Sequence, residues 1–223
     1  MQRRNKPWHV EVFTLSSGVW NVIPSSNLLR QSGKLTFSPQ VVIDRFIYWG
    51  AWENTFTDHG ESTTNHMVVS FDLITKEFKL VDLPDSLTYK PHGRVPVFVS
   101  KLRESLVVYG SIDVEGAESC GVWVMQHDSS FKKLISIGAR VDKILGFRES
   151  GEPIFETVKD FRPFNTLDIY DLFNTLDVNT LDVYDPCSQQ INNLGICGVE
   201  GSFFMDSYRE SLLLVDHSNL HIY

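Results

Sequence analysis

Residues 67–83 read MVVSFDLITKEFKLVDL, two apolar-rich runs parted by the polar stretch Ile74-Thr75-Lys76-Glu77. Val69, Phe71 and Leu73 alternate with Ser70 and Asp72, which is the period-two pattern of half-buried strands, so the stretch predicts a β-hairpin. The design recurs. Val10–Leu15 and Val19–Ile23 flank Ser16-Ser17-Gly18, Val122–Met125 and Phe131–Ile137 flank Gln126–Ser130, and Leu181–Asp185 and Ile191–Ile196 flank Pro186–Gln190. In each hairpin an apolar residue precedes its counterpart by seven positions: Phe13 and Trp20, Phe71 and Phe78, Val124 and Phe131, Tyr184 and Ile191. The copies stand 58, 53 and 60 residues apart, which is a loose internal period.

A second kind of hairpin lies between these. Val41–Ile43 and Phe46–Trp52 flank Asp44-Arg45, and Val97–Leu102 and Leu106–Ser111 flank Arg103-Glu104-Ser105. Ile144–Arg148 and Ile154–Val158 flank residues 149–153, and Phe203–Asp206 and Leu212–Asp216 flank Ser207–Ser211. Two alternating hairpins make four strands per repeat. The expected fold is therefore all-β, a propeller-like array of about four four-stranded antiparallel units, either closed or an open fragment of a larger ring. A β-sandwich is the competing all-β reading. No segment sustains a helical apolar period for three turns. If the strands meander, the short turns gather at one end and the longer connections at the other, at 24–40, 53–66, 84–95, 112–120, 138–143, 159–179 and 197–202. Loops grouped on one rim of a rigid scaffold are where binding is expected.

The remaining features are exclusions. A chain of 223 residues with 42% hydrophobic residues has enough apolar material for a core, and it is read as one domain over residues 1–223. A net charge of −8 with scattered basic residues argues against nucleic acid as a partner. Three cysteines make no disulfide framework, the first residues lack the apolar stretch of a secretory signal, and no apolar run approaches membrane-spanning length. The expectation is a cytoplasmic or nuclear protein with no membrane partner.

The phrases VEVFTLSSGVW, VVSFDLITKEFKLVDLP, GVWVMQHDSSFKKLISI, ILGFRESGEPIFE and LDVYDPCSQQINNLGI, spread over residues 8–216, resemble the F-box-associated domain (type 1-like) of plant F-box proteins. The resemblance implies a substrate receptor of an SCF-type ubiquitin ligase, in which an N-terminal F-box docks on the Skp–cullin scaffold and the associated domain binds the protein to be ubiquitinated. The F-box itself is expected to be missing from this chain, since the seven residues before Trp8 are too few to hold it. Docking on the scaffold is thus expected only if an F-box is supplied elsewhere. Two alternatives stand beside this reading, a truncated non-functional remnant and a propeller that binds a small molecule or glycan.

No constellation argues for an enzyme. There is no G-x-S-x-G elbow, no phosphate-binding glycine loop, no H-E-x-x-H and no C-x-x-C. Residues 164–185, FNTLDIYDLFNTLDVNTLDVYD, repeat one phrase nearly three times and carry Asp168, Asp171, Asp177, Asp182 and Asp185. These acids alternate with Leu, Ile, Val and Tyr as in a half-buried strand and lack the turn glycine and closing glutamate of a calcium loop, so neither metal nor cofactor is expected. The last copy continues in the register of the other hairpins, and the earlier ones read as a duplicated insertion within 159–179. A repeated strand also invites ambiguity of register. The candidate binding residues are aromatic, histidine and arginine side chains on two of the expected loops, Phe56 and His59 on one, Tyr89, His92 and Arg94 on the other, because such groups are the usual anchors of protein interfaces. Trp49 and Trp52 are read as packing residues.

Overall fold

A computed structural model of the chain describes residues 9–23, 33–36, 39–56, 62–90, 97–114, 116–139, 141, 143–158, 178–199 and 201–205. The described part is all-β apart from one short helix. A hairpin of β1 (Glu11–Thr14) and β2 (Val19–Val22) comes first. In the next sheet β3 (Lys34–Leu35) and β4 (Val41–Ile43) share one edge of β5 (Phe46–Phe56), which pairs with β6 (Ser62–Asp72). The far edge of β6 is shared by β7 (Phe78–Val81) and β8 (Tyr89–Lys90). Two further sheets are antiparallel meanders of four strands. One consists of β9 (Phe98–Leu102), β10 (Ser105–Val114), β11 (Ala117–Met125) and β12 (Phe131–Ile137), and the other of β13 (Lys143–Phe147), β14 (Pro153–Val158), β15 (Val178–Asp185) and β16 (Gln190–Val199).

The hairpin repeat extends to the backbone. Phe13 pairs with Trp20, Phe71 with Phe78 and Tyr184 with Ile191, as the seven-residue spacing predicts. The residue two before each second partner is left-handed: Gly18, Lys76, Ser129 and Gln189 have φ of 64°, 59°, 66° and 56°. Only the first is glycine, so three of the four turns hold an ordinary side chain in a conformation it resists. Side chains offset this cost. Asp72 accepts from the Ile74 and Thr75 amides, and Asp185 accepts from the Cys187 amide and the Ser188 hydroxyl.

Several sequence expectations need correction. Met125, not Val124, faces Phe131, because only five residues separate that pair at the turn, against six between Phe71 and Phe78; a bulge between Val122 and Trp123 shifts the register again farther along. The 53–66 and 112–120 segments are mostly strand, since β5 and β6 run out to Phe56 and Ser62, and β10 and β11 close around residues 115–116. Polar residues there hold the ladder by cross-strand bonds, such as Thr55 to Thr63 hydroxyl at 2.7 Å. The 84–95 segment contains α1 (Asp85–Thr88), whose Leu87 is fully buried, and then β8. Val178 and Asn179 belong to β15, not to the insertion; residues 159–177 lie outside the described residues. Phe203–Met205 is not strand, and Asp206 with the expected strand Leu212–Asp216 lies outside the described residues.

The sheets stack face to face through two cores. Leu106 and Val108 of β10 pack with Val41, Tyr48, Val68, Leu87 and Trp123, whereas Val107 and Tyr109 pack with Ile144, Phe155 and Tyr184. Successive residues of one strand thus feed opposite interfaces. The first strands also touch in series, β4 and β5 against β9, and β9 against β13. Gly50 on β5 lies in close approach to its neighbours: an added Cβ would run into the Val97 carbonyl and the Thr36 side chain. Gly50→Ala is expected to destabilise the fold by about 1–3 kcal/mol, because backbone rather than a flexible side chain must yield. Gly18→Ala, with open space around it, should lose only about 1 kcal/mol to its left-handed φ. Urea denaturation of the two variants tests this order.

The acidic turns predict a pH dependence. Burial raises the Asp72 carboxyl, but the Ile74 and Thr75 amides and Arg45, at 3.1 Å, outweigh it and hold the group below its ordinary value. Ser188 and the Cys187 amide lower Asp185, and Ser130 lowers Asp128. A carboxyl depressed in the folded state stabilises above its unfolded value, about 3.9, and that stability is lost as pH falls through the folded value. The urea midpoint is expected to fall below about pH 4, with a shallower acid limb in Asp72→Asn. An unchanged slope in that variant would refute the assignment.

Candidate recognition rim

The central strands of all three larger sheets change character midway. Near the short turns β5 reads FIYWGAW, and it then continues ENTF; β10 passes from LVVY into GSIDV, and β14 from PIF into ETV. Their partners β6, β11 and β15 begin STTNH, AESC and VNT before turning apolar. In an antiparallel meander these polar halves lie together at the end where the connections emerge. Several are buried there: Glu53, Thr63 and His66 in the first sheet, Ser119 in the second, Glu156, Asn179 and Thr180 in the third.

Burial of polar groups is costly unless they are hydrogen-bonded, so their partners are informative. In the first sheet a ladder of hydroxyls and amides crosses β5 and β6. Thr64 donates to the Asn54 side-chain oxygen at 3.1 Å and Asn65 donates to the Thr55 hydroxyl at 3.3 Å. In the second sheet the Ser111 hydroxyl donates to Glu118 at 3.0 Å, and Asp113 accepts from the Gly116 amide at the turn.

The third sheet differs. The Glu156 carboxylate, 4% exposed, accepts from the Asn179 side-chain amide at 2.6 Å and from the Gly201 backbone amide at 2.9 Å. That second bond draws residues 201–205 across the face of the sheet turned away from the central one. Three buried atoms beside it have no partner among the described residues: the Asn179 side-chain oxygen and the Thr157 and Thr180 hydroxyls. Thr157 and Thr180 are cross-strand neighbours and share the face of Phe155, which looks toward the central sheet, whereas Asn179 shares the other face with Glu156. The end of this sheet therefore presents unmet hydrogen-bonding capacity on both faces.

The backbone brings two of the expected interface residues to this rim. Phe56 ends β5, opposite Ser62, and Tyr89 of β8 pairs with Asn65 of β6, so both stand at the connection end of one sheet. Phe56 is thus on a strand, not a loop. His59, His92 and Arg94 lie outside the described residues. Trp49 and Trp52 are half-buried; the Trp49 ring lies 6.4 Å from Phe78, and the Lys34 ammonium sits 4.6 Å over Trp52. Among the described residues no group of three or more His, Cys, Asp or Glu side chains could hold a metal ion, and no helix is long and apolar enough to cross a membrane. The residues that sequence reading passed over are Glu156, Thr157, Asn179 and Thr180. Their signal was present in the polar start of β15, where it reads as one more copy of a repeated phrase. A comparison with protein-family models finds no match to the chain, and a comparison with curated proteins finds no relative.

The unpartnered hydroxyl at Thr180 separates fold from function. Thr180→Val replaces a fully buried orphan hydroxyl with a methyl, so the variant is expected to be as stable as the parent or up to about 1–2 kcal/mol more stable. Glu156→Ala strands the buried Asn179 amide and removes the acceptor of the Gly201 amide, and is expected to lose about 1–3 kcal/mol. Thermal melts of both variants check the opposite signs.

Proposed function

We propose that the chain is a non-enzymatic protein-recognition domain, a propeller-like array whose connection rim binds a target protein. The observation that carries this reading is the gathering of buried and exposed polar groups, with Phe56 and Tyr89, at one end of a scaffold whose other end is closed by short, side-chain-locked turns. The propeller reading draws support from the series of contacts between first strands and from the four equivalent turns. The phrases shared with the F-box-associated domain extend the proposal: the bound protein is a substrate for ubiquitination, presented to an SCF-type ligase when an F-box is supplied.

The test is affinity capture with three proteins: the parent, a rim variant carrying Phe56→Ala and Tyr89→Ala, and a turn-end variant carrying Lys76→Glu. A specific target should bind the parent and the turn-end variant and be lost from the rim variant. Fused to an F-box, the parent should promote ubiquitination of that target in a reconstituted reaction. Capture that is weakened only at the turn end would sink the rim assignment.

The orphan Thr157 and Thr180 hydroxyls, neighbours on one face, favour a second reading, in which a polar small molecule or glycan completes their hydrogen bonds. A glycan array and a thermal-shift screen distinguish the two. Under this reading Thr180→Val would abolish the shift while leaving the fold intact.

A further inference from the structure

The fourth strands of the three large sheets are their outer edges, and two of them are defended. The four residues of β7 include Lys79, and β12 carries Lys132 and Lys133. Exposed edge strands offer unpaired backbone to other chains, and charges on them, lysine above all, prevent such pairing. The ten residues of β16, QINNLGICGV, include no Asp, Glu, His, Lys or Arg. Nothing among the described residues pairs with its outer edge. Ile191, Ile196 and Val199 are 42%, 49% and 52% exposed along it.

We infer that β16 is a homotypic docking edge, at which a second copy of this chain adds its own β16 antiparallel to make one continuous eight-stranded sheet. Two-fold pairing sets each residue near the axis beside its own copy, so any charge there meets a like charge. A strand suited to this must be neutral, and β16 is the one of the three edges that is. Its polar residues are amides, which carry donor and acceptor together and can bond to themselves. Gln190, Asn192 and Asn193 supply them, with Asn193 already donating to Asp182 within the sheet. The left-handed Gly195, whose amide donates to the Asn193 side chain, bends the strand beyond this point. The usable stretch is therefore Gln190–Leu194, and its centre, where the axis passes, is the exposed Asn192.

Sedimentation equilibrium of the full chain over about two decades of concentration tests the inference. The parent is expected to form a reversible dimer. Asn192→Lys, at an exposed position, sets two ammonium groups face to face and should weaken the dimer by at least about tenfold with an unchanged melting temperature. Lys133→Asn on β12 should leave it unaltered. Should Asn192→Lys disturb the fold, hydrogen exchange of the parent decides instead, since the amides of Gln190–Leu194 should gain protection as concentration rises. A parent that stays monomeric throughout, or a dimer that tolerates Asn192→Lys in a folded chain, overturns the inference.

Discussion

The strand on which the structure depends is β10. Leu106, Val107, Val108 and Tyr109 are all at most 2% exposed, two facing each neighbouring sheet. A strand buried on both faces reads as a continuous apolar run, and its sheet stands only with partners on either side. Tyr109 makes the dependence specific. Its hydroxyl donates to the Ile144 carbonyl and accepts from the Ile144 amide, at 3.3 and 3.0 Å, so one side chain satisfies both backbone groups of a residue in the adjoining sheet. Burial pushes the phenol well above its usual range, which keeps it a neutral donor at any ordinary pH. Tyr184 reaches back to the Ser136 carbonyl, and Arg103 crosses to the Glu149 carbonyl, so apolar stacking is pinned at three polar points between the same two sheets.

This constraint accounts for the division of labour along each strand. Near the short turns the sheets approach closely at Gly50, where an added Cβ would meet the Val97 carbonyl and the Thr36 side chain. Toward the connections the strands turn polar. Buried hydroxyls and amides there hold one another in the first two sheets, but leave capacity unmet in the third. Short turns at one end and polar groups at the other are what the proposed recognition function rests on.

The hairpins were legible because their signal is local. Apolar residues at fixed spacing around a polar turn identify partners, and Phe13, Phe71 and Tyr184 meet theirs as the spacing requires. Val124 misses by one because its turn is one residue shorter, with five residues between Met125 and Phe131 against six between Phe71 and Phe78, a difference that the apolar pattern does not mark. The left-handed turn residues were hidden for a related reason: Lys76, Ser129 and Gln189 look ordinary, and the aspartates and serines that hold their turns act through geometry. The polar halves of β5, β6, β10 and β11 read as loops because strand recognition rests on apolar alternation, whereas these halves are held by cross-strand hydrogen bonds.

The repeated phrase at 164–185 joins these two kinds of signal. As chemistry it suggested a row of carboxylates, yet in β15 its last copy works as strand. Asn179 bonds Glu156, Asp182 accepts from Asn193, and Val183 and Tyr184 are buried. The two acids of this copy serve different bonds, Asp182 to Asn193 across the sheet and Asp185 to Ser188 in the turn. The first copy, Asn165-Thr166-Leu167-Asp168-Ile169-Tyr170-Asp171, differs from the last only by Ile169 in place of Val183. The second copy has Asn179 where the last has Tyr184, and that tyrosine is what ties the strand to the central sheet. The selection among copies therefore rests on the continuation: only the last leads directly into the Asp185-capped turn and β16. A turn of four residues with its own side-chain bonds closes at lower entropic cost than any longer path from an earlier copy to the same edge. The register of the third sheet, and with it the rim and the neutral edge, is set by that turn.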